Sequence, residues 1–115
     1  MDIEDIRKIC LALPGTTEGI KWGNDLCFCV AGKMYCATGL SGPLTISFKV
    51  GDEEFAEVSC REGFIPAPYV ARYRWVLLEE PKKISRKELQ SLITKSYGLV
   101  KARLSKKVLK EKGLL

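Results

Sequence analysis

Residues 26–38 read "LCFCVAGKMYCAT", and this stretch most limits what the chain can become. Leu26, Phe28 and Val30 alternate with Cys27, Cys29 and Ala31, and both sets are apolar. A strand that is apolar on both faces has to be covered on both, unlike the half-solvated strand of a one-sided sheet. Ala31-Gly32-Lys33 supplies a turn, after which Met34, Cys36 and Thr38 alternate with Tyr35 and Ala37. The stretch is therefore a hairpin well inside a sheet, and the rest of the chain must supply its neighbours and its cover.

The two ends of the chain supply helices. Ile3, Ile6, Ile9, Cys10 and Leu13 recur at spacings of three and four, Asp2 can cap the start, and Pro14-Gly15 stops the run. Near the other end, Ser85 and Glu88 have the spacing of a capping box. Leu89, Leu92, Ile93, Val100 and Leu104 then follow a helical period. Gly98 interrupts it at a cost of about 1 kcal/mol relative to alanine. Ser105 can cap a further short helix that Gly113 closes.

Between them, "GTTEGIKWGND" reads as a loop, rich in turn formers. In "LTISFK", Leu44, Ile46 and Phe48 face inward while Thr45, Ser47 and Lys49 face outward, the pattern of a half-buried strand. "GDEEFAEVSC" predicts a short helix capped by Asp52. In "IPAPY", Pro66 and Pro68 remove two backbone donors and Ala67 is pushed extended, so a stiff connector outside any sheet is expected. From Arg72 the period turns to two: Tyr73, Trp75 and Leu77 share one face, and Arg72, Arg74, Val76 and Leu78 the other. Trp75 is expected in the core. The order of elements predicts one α+β domain over residues 1–115, a mostly antiparallel sheet with N-terminal and C-terminal helices packed on it.

No apolar run approaches the ~20 residues a membrane helix needs. The acidic opening Met1-Asp2-Ile3-Glu4-Asp5 is unlike a secretory signal, so a cytoplasmic location is expected. The five cysteines are odd in number and read as reduced thiols packed as small hydrophobes.

The chain contains no histidine, which removes the commonest general base and metal ligand. One C-x-C and three scattered cysteines lack the paired knuckles of a zinc site. Cys60 beside Arg61 has no base to activate it, and no phosphate-binding glycine loop occurs. The expectation is no catalytic residue, no metal and no cofactor. Charge is what remains. Residues 1–80 carry 8 Lys/Arg against 12 Asp/Glu, a net of −4, whereas residues 81–115 carry 11 against 2, a net of +9. A basic region on an acidic body is a footprint of polyanion contact. Lys95, Arg103, Lys106 and Lys110 fall on one stripe if the last helix is continuous. Arg72 and Arg74 would project from the strand before it, and Lys33 tips the hairpin. Such groups grip phosphates by charge and by forked guanidinium contacts.

Several stretches resemble the MmcQ/YjbR family of small bacterial proteins: "LPGTTEGIKWG", "FCVAGKMYCA", "LTISFKV", "GFIPAPYVARYRWVLLE" and "SRKELQSLITKSYGLVKARLSKK", in that order. The P-x-P-Y corner followed by Trp75-Val76, and Ser96-Tyr97-x-Leu99-Val100 in the helix, are the most specific. The resemblance implies a CyaY/frataxin-like sandwich with a double-wing arrangement of strands, and members are commonly described as DNA-binding. The likeness to frataxin also raises iron, for which Asp2, Glu4 and Asp5 are too sparse an acidic ridge. Many relatives carry histidines in the N-terminal motif, where this chain has Lys21 before Trp22.

The expectation drawn from residues and resemblance together is a non-enzymatic, monomeric DNA-binding domain. Its phosphate contacts would be Lys33, Arg72, Arg74, Lys101, Arg103, Lys106 and Lys107. The alternative is a module for a protein or small metabolite, with a pocket lined by Trp22, Tyr69 and Tyr97 where the proline corner meets the helices.

Overall fold

A computed structural model describes residues 1–115. Helix α1 spans Ile3–Leu11 and strands β1 to β4 span Thr16–Lys21, Asp25–Val30, Lys33–Gly39 and Ile46–Lys49. Helix α2 spans Phe55–Ser59, β5 Phe64–Pro66 and β6 Trp75–Leu78; α3 spans Arg86–Lys101 and α4 Lys106–Glu111. All six strands join one antiparallel sheet in the order β1-β2-β3-β4-β6-β5. This is the expected α+β architecture, and no helix is long and apolar enough to cross a membrane.

Register sorts the side chains into two faces. Thr38, Ile46, Leu78 and Phe64 are successive cross-strand partners, as are Phe28, Cys36, Phe48 and Val76. These rows carry most of the sheet's share of the buried core, against which α1 places Ile6, Ile9 and Cys10 and α3 places Leu89, Ile93 and Tyr97. The intervening row, Cys27-Ala37-Ser47-Leu77-Ile65, points to the opposite face.

Four local readings are corrected by tertiary context. "GTTEGIKWGND" is not all loop: Thr16–Lys21 pairs along its whole length with β2 as an edge strand. Its residues are mostly exposed, so main-chain bonds rather than an apolar pattern hold it, and the sequence showed little. The proline segment does enter the sheet, but at the other edge, where Pro66 loses no ladder bond. Arg72 and Arg74 do not lie in a strand. Ala71–Tyr73 is a single 3-10 turn, Arg74 is left-handed at φ 66°, and pairing begins at Trp75. The last helix is broken after Lys101, and Ser105 caps α4 separately, so no continuous basic stripe forms.

Caps shift as well. Asp2 and Asp5 form a reciprocal capping box. Ser85 accepts from the Glu88 amide, while the Glu88 carboxylate turns away to Arg61. Asp52 does not cap α2, whose first turn starts at Glu54 without a side-chain cap.

The alternation through Met34–Thr38 is broken by one extra residue in β3. Met34 pairs with Cys29 and Cys36 with Phe28, so Tyr35 is a bulge and turns inward. Its hydroxyl lies 2.7 Å from Thr16 Oγ1 and donates to the Cys10 carbonyl, and burial pushes its pKa far up. Ser96 of α3, fully buried, donates to the Tyr35 carbonyl and accepts from the Lys49 amide. One hydroxyl thus satisfies backbone groups of β3 and β4 and fixes α3 over both.

Candidate functional site

α1 and α3 pack on the core-bearing face. On the other face lies a cavity of about 490 Å³. Ala37, Thr45, Ser47, Trp75 and Leu77 form its floor; Trp22 stands at one side and the Ala67–Val70 loop at another. Asp25 and Met34 complete the wall.

Both flanking aromatics sit in left-handed backbone. Trp22 has φ 54° and is followed by Gly23 at φ 77°, the pattern of a primed hairpin turn in which asparagine would be usual at the first place. Asn24 holds this turn, accepting from the Leu40 amide at 2.9 Å and donating to Ser41 Oγ. Tyr69 has φ 68° behind Pro68, and the Ala67 carbonyl accepts from the Val70 amide, as in a type II turn where glycine would be usual. Despite that strain, Trp22 is 73% and Tyr69 99% exposed, so neither conformation is compensated by burying its ring.

The cavity's polar groups are only partly engaged. The Thr38 hydroxyl donates to the Thr45 carbonyl. The Asp25 carboxylate makes no ion pair or side-chain hydrogen bond, nor do the hydroxyls of Thr45 and Ser47. Tyr97, expected beside Trp22 and Tyr69, lies elsewhere. It packs edge-on to Tyr35 in the helix-covered core, with its hydroxyl donating to the Pro14 carbonyl. Trp75, expected in that core, is buried instead as cavity floor.

Part of the positive charge lies toward one end of the sheet, whereas Lys82, Lys83, Arg86 and Lys87 follow the Leu78 end of β6 at the other. Lys33 sits beside the β2–β3 turn, and the antiparallel register places the Lys49 end of β4 and the Trp75 end of β6 next to it. α3 runs toward the same end. Its first turn meets Asp5 through Arg86, and its later turns reach Tyr35, Lys49 and Pro14. α4 follows, and Leu114 just beyond it lies close against Gly15. Lys33, Arg72, Arg74, Lys101, Arg103, Lys106 and Lys107 therefore share one end of the molecule. Of the seven only Arg74 is ion-paired, to Asp52 at 3.2 Å. The Arg72 guanidinium lies over Tyr73 at 4.8 Å, Arg74 over Phe55 at 5.4 Å, and the Lys101 ammonium over Tyr97 at 5.7 Å.

Lys49 belongs with them, and sequence reasoning passed over it. Burial lowers the pKa of its ammonium, the charges of Arg103 and Arg74 lower it further, and Asp52 opposes them. Its Nζ donates to the Tyr73 carbonyl. The signal was present in "LTISFK", where Lys49 shares the outward face with Thr45 and Ser47. Asp25 had no such signal; only folding carries it to the cavity. The thiols offer little chemistry: four of five are buried, and Cys36 is pushed well up by its hydrogen bond with Cys10 and by burial.

Residues 11–99 match the YjbR family. A crystal structure of a Deinococcus radiodurans protein of domain family DUF419 superposes with a TM-score of 0.88 at 27% identity, covering 98% of this chain and 88% of that one. A Pseudomonas syringae protein superposes with a TM-score of 0.71 at 20% identity over 87% of this chain and 99% of its own, a likeness of fold. No curated protein matches.

Proposed function

The chain belongs to the YjbR family, and from that premise we propose that it is a non-catalytic DNA-binding domain that grips the phosphate backbone through the cationic end of its sheet. The observation that carries the reading is the gathering of cations from four separate places in the chain. The hairpin, the end of β4, the turn before β6 and the α3–α4 region meet at one end, with a single carboxylate pairing among the seven expected contacts. Chain connectivity does not require this, and like charges brought together raise the energy of the free protein. A polyanion offsets that repulsion by releasing its own counterions.

Lysine and arginine on phosphates position a protein but read no bases, so binding is weak and nearly sequence-neutral. It falls steeply with salt. A mobility-shift titration of a duplex at about 50 and 200 mM salt tests this. The expected result is a shift at the lower salt that collapses at the higher. Joint replacement of Arg103, Lys106 and Lys107 by alanine should flatten the log–log salt slope by about 3 units, near 0.9 per phosphate contact. No shift with any duplex at low salt sinks the reading.

A further inference from the structure

The cavity on the open face has no part in phosphate binding, yet its features converge on one ligand chemistry. Two bulky aromatics stand at its sides in backbone conformations that bulky residues avoid, with their rings left in solvent. A planar ring entering between them would stack on faces that are otherwise wet. The volume of about 490 Å³ falls within the range of small-molecule sites. Its free polar groups select further. A carboxylate can only accept, so unpaired Asp25 calls for a hydrogen-bond donor on the ligand, while the hydroxyls of Thr45 and Ser47 can do either. An amine cation would also satisfy Asp25 and the aromatics. However, Lys49 shares the outward face of β4 with Ser47, so a positive charge lies beside the cavity floor. That charge favours a ligand that is neutral itself and carries an anion nearby.

We propose that this cavity seats one amino-bearing nucleobase, held between Trp22 and Tyr69 over Trp75, with Asp25 accepting from the exocyclic amino group. The choice of a nucleobase among planar amino-bearing rings rests on the DNA reading, because a phosphate attached to the base would lie toward Lys49. The base comes either from an unpaired strand or from a free nucleoside, and these share the chemistry of the seat. Stacking on aromatics tolerates any base. Discrimination comes from the carboxylate: thymine offers only its ring N3–H, flanked by two carbonyl oxygens that repel Asp25, so adenine and cytosine, with exocyclic amino groups, are preferred.

The test follows intrinsic tryptophan fluorescence of the full chain during titration with adenosine and thymidine, then with single-stranded oligo-dA and oligo-dT. Tyr69→Ala and Asp25→Asn keep both tryptophans, and Tyr69 is almost wholly solvent-exposed, so its removal leaves the fold intact. Quenching by adenosine identifies a nucleoside seat, and quenching by oligo-dA alone makes a strand the source; either supports the proposal. Tyr69→Ala should weaken binding about tenfold, and Asp25→Asn should erase the preference for adenine over thymine. The proposal is overturned if neither nucleoside nor strand quenches, if Tyr69→Ala binds as tightly as the parent, or if thymine equals adenine in the parent. Duplex mobility shifts on the same samples report the cationic end separately. A lost duplex shift with quenching retained removes the DNA reading alone, and the reverse removes the base seat alone.

Discussion

The two faces of the sheet follow opposite rules. On the helix-covered face, Phe28, Cys36, Ile46, Phe48, Val76 and Leu78 are fully buried, and even the polar Ser96 and Tyr35 have their partners. On the other face, Trp22 and Tyr69 hold strained backbone and Asp25 goes unpaired. Backbone strain lowers stability, and it persists where the surrounding structure over-determines it. The Asn24 bonds and the proline-led turn do this here. Most of the buried apolar core thus lies on one face, while the proposed recognition uses the other and the cationic end.

The sharpest way to break this comparison is to cut one large side chain from each face. Phe48→Ala removes a ring with no solvent exposure and should cost about 3–5 kcal/mol. Leu77→Ala, from a half-buried position on the cavity floor, should cost nearer 1–2 kcal/mol, because the cavity is open and less contact is lost. Urea unfolding measures both, and equal losses would erase the division of labour.

A smaller effect of opposite sign sharpens it. Tyr69→Gly relieves a left-handed tyrosine whose ring packs on nothing, and should raise stability by about 1 kcal/mol while weakening the proposed base stacking as Tyr69→Ala does. A loss of stability on urea titration would show that Tyr69 is structural.

The smallest expected effect is acidic. Glu18 is held below the usual carboxylate range by hydrogen bonds from Arg7, Glu88 by those from Arg61, and Asp5 by the Asp2 amide. A depressed carboxyl contributes stability that is present above its unfolded pKa and is lost as pH falls through the folded one. The melting temperature should therefore drop gently below about pH 4, the effect limited by the solvent exposure of these groups. Arg7→Gln should flatten that drop, since the Glu18 pairing ties α1 to β1 on the helix-covered side. An unchanged profile would place the acid sensitivity elsewhere.

How much of this was legible follows from the range of each interaction. The hairpin, the strand around Ile46 and Phe48, and the terminal helices are written in periodicity, because a local period decides which side chains share a face. The tryptophan and tyrosine beside the cavity stood out as residues. Their partner did not, and Tyr97 was wrongly grouped with them, since composition does not tell which face of a sheet a helix covers. β1 was missed because edge pairing needs only main-chain groups, which every residue carries.

By itself the sequence determined an α+β domain, its helix caps at Asp2, Ser85 and Ser105, the excess of cations after residue 80, and the absence of histidine chemistry. Only the tertiary structure decided that Tyr35 bulges inward, that Arg74 meets Asp52, that Lys49 joins Arg103, and that Asp25 lines the same cavity as Trp75. The reason is distance along the chain. Propensity and period act within a few residues, whereas these meetings are fixed by sheet register and helix packing between segments tens of residues apart.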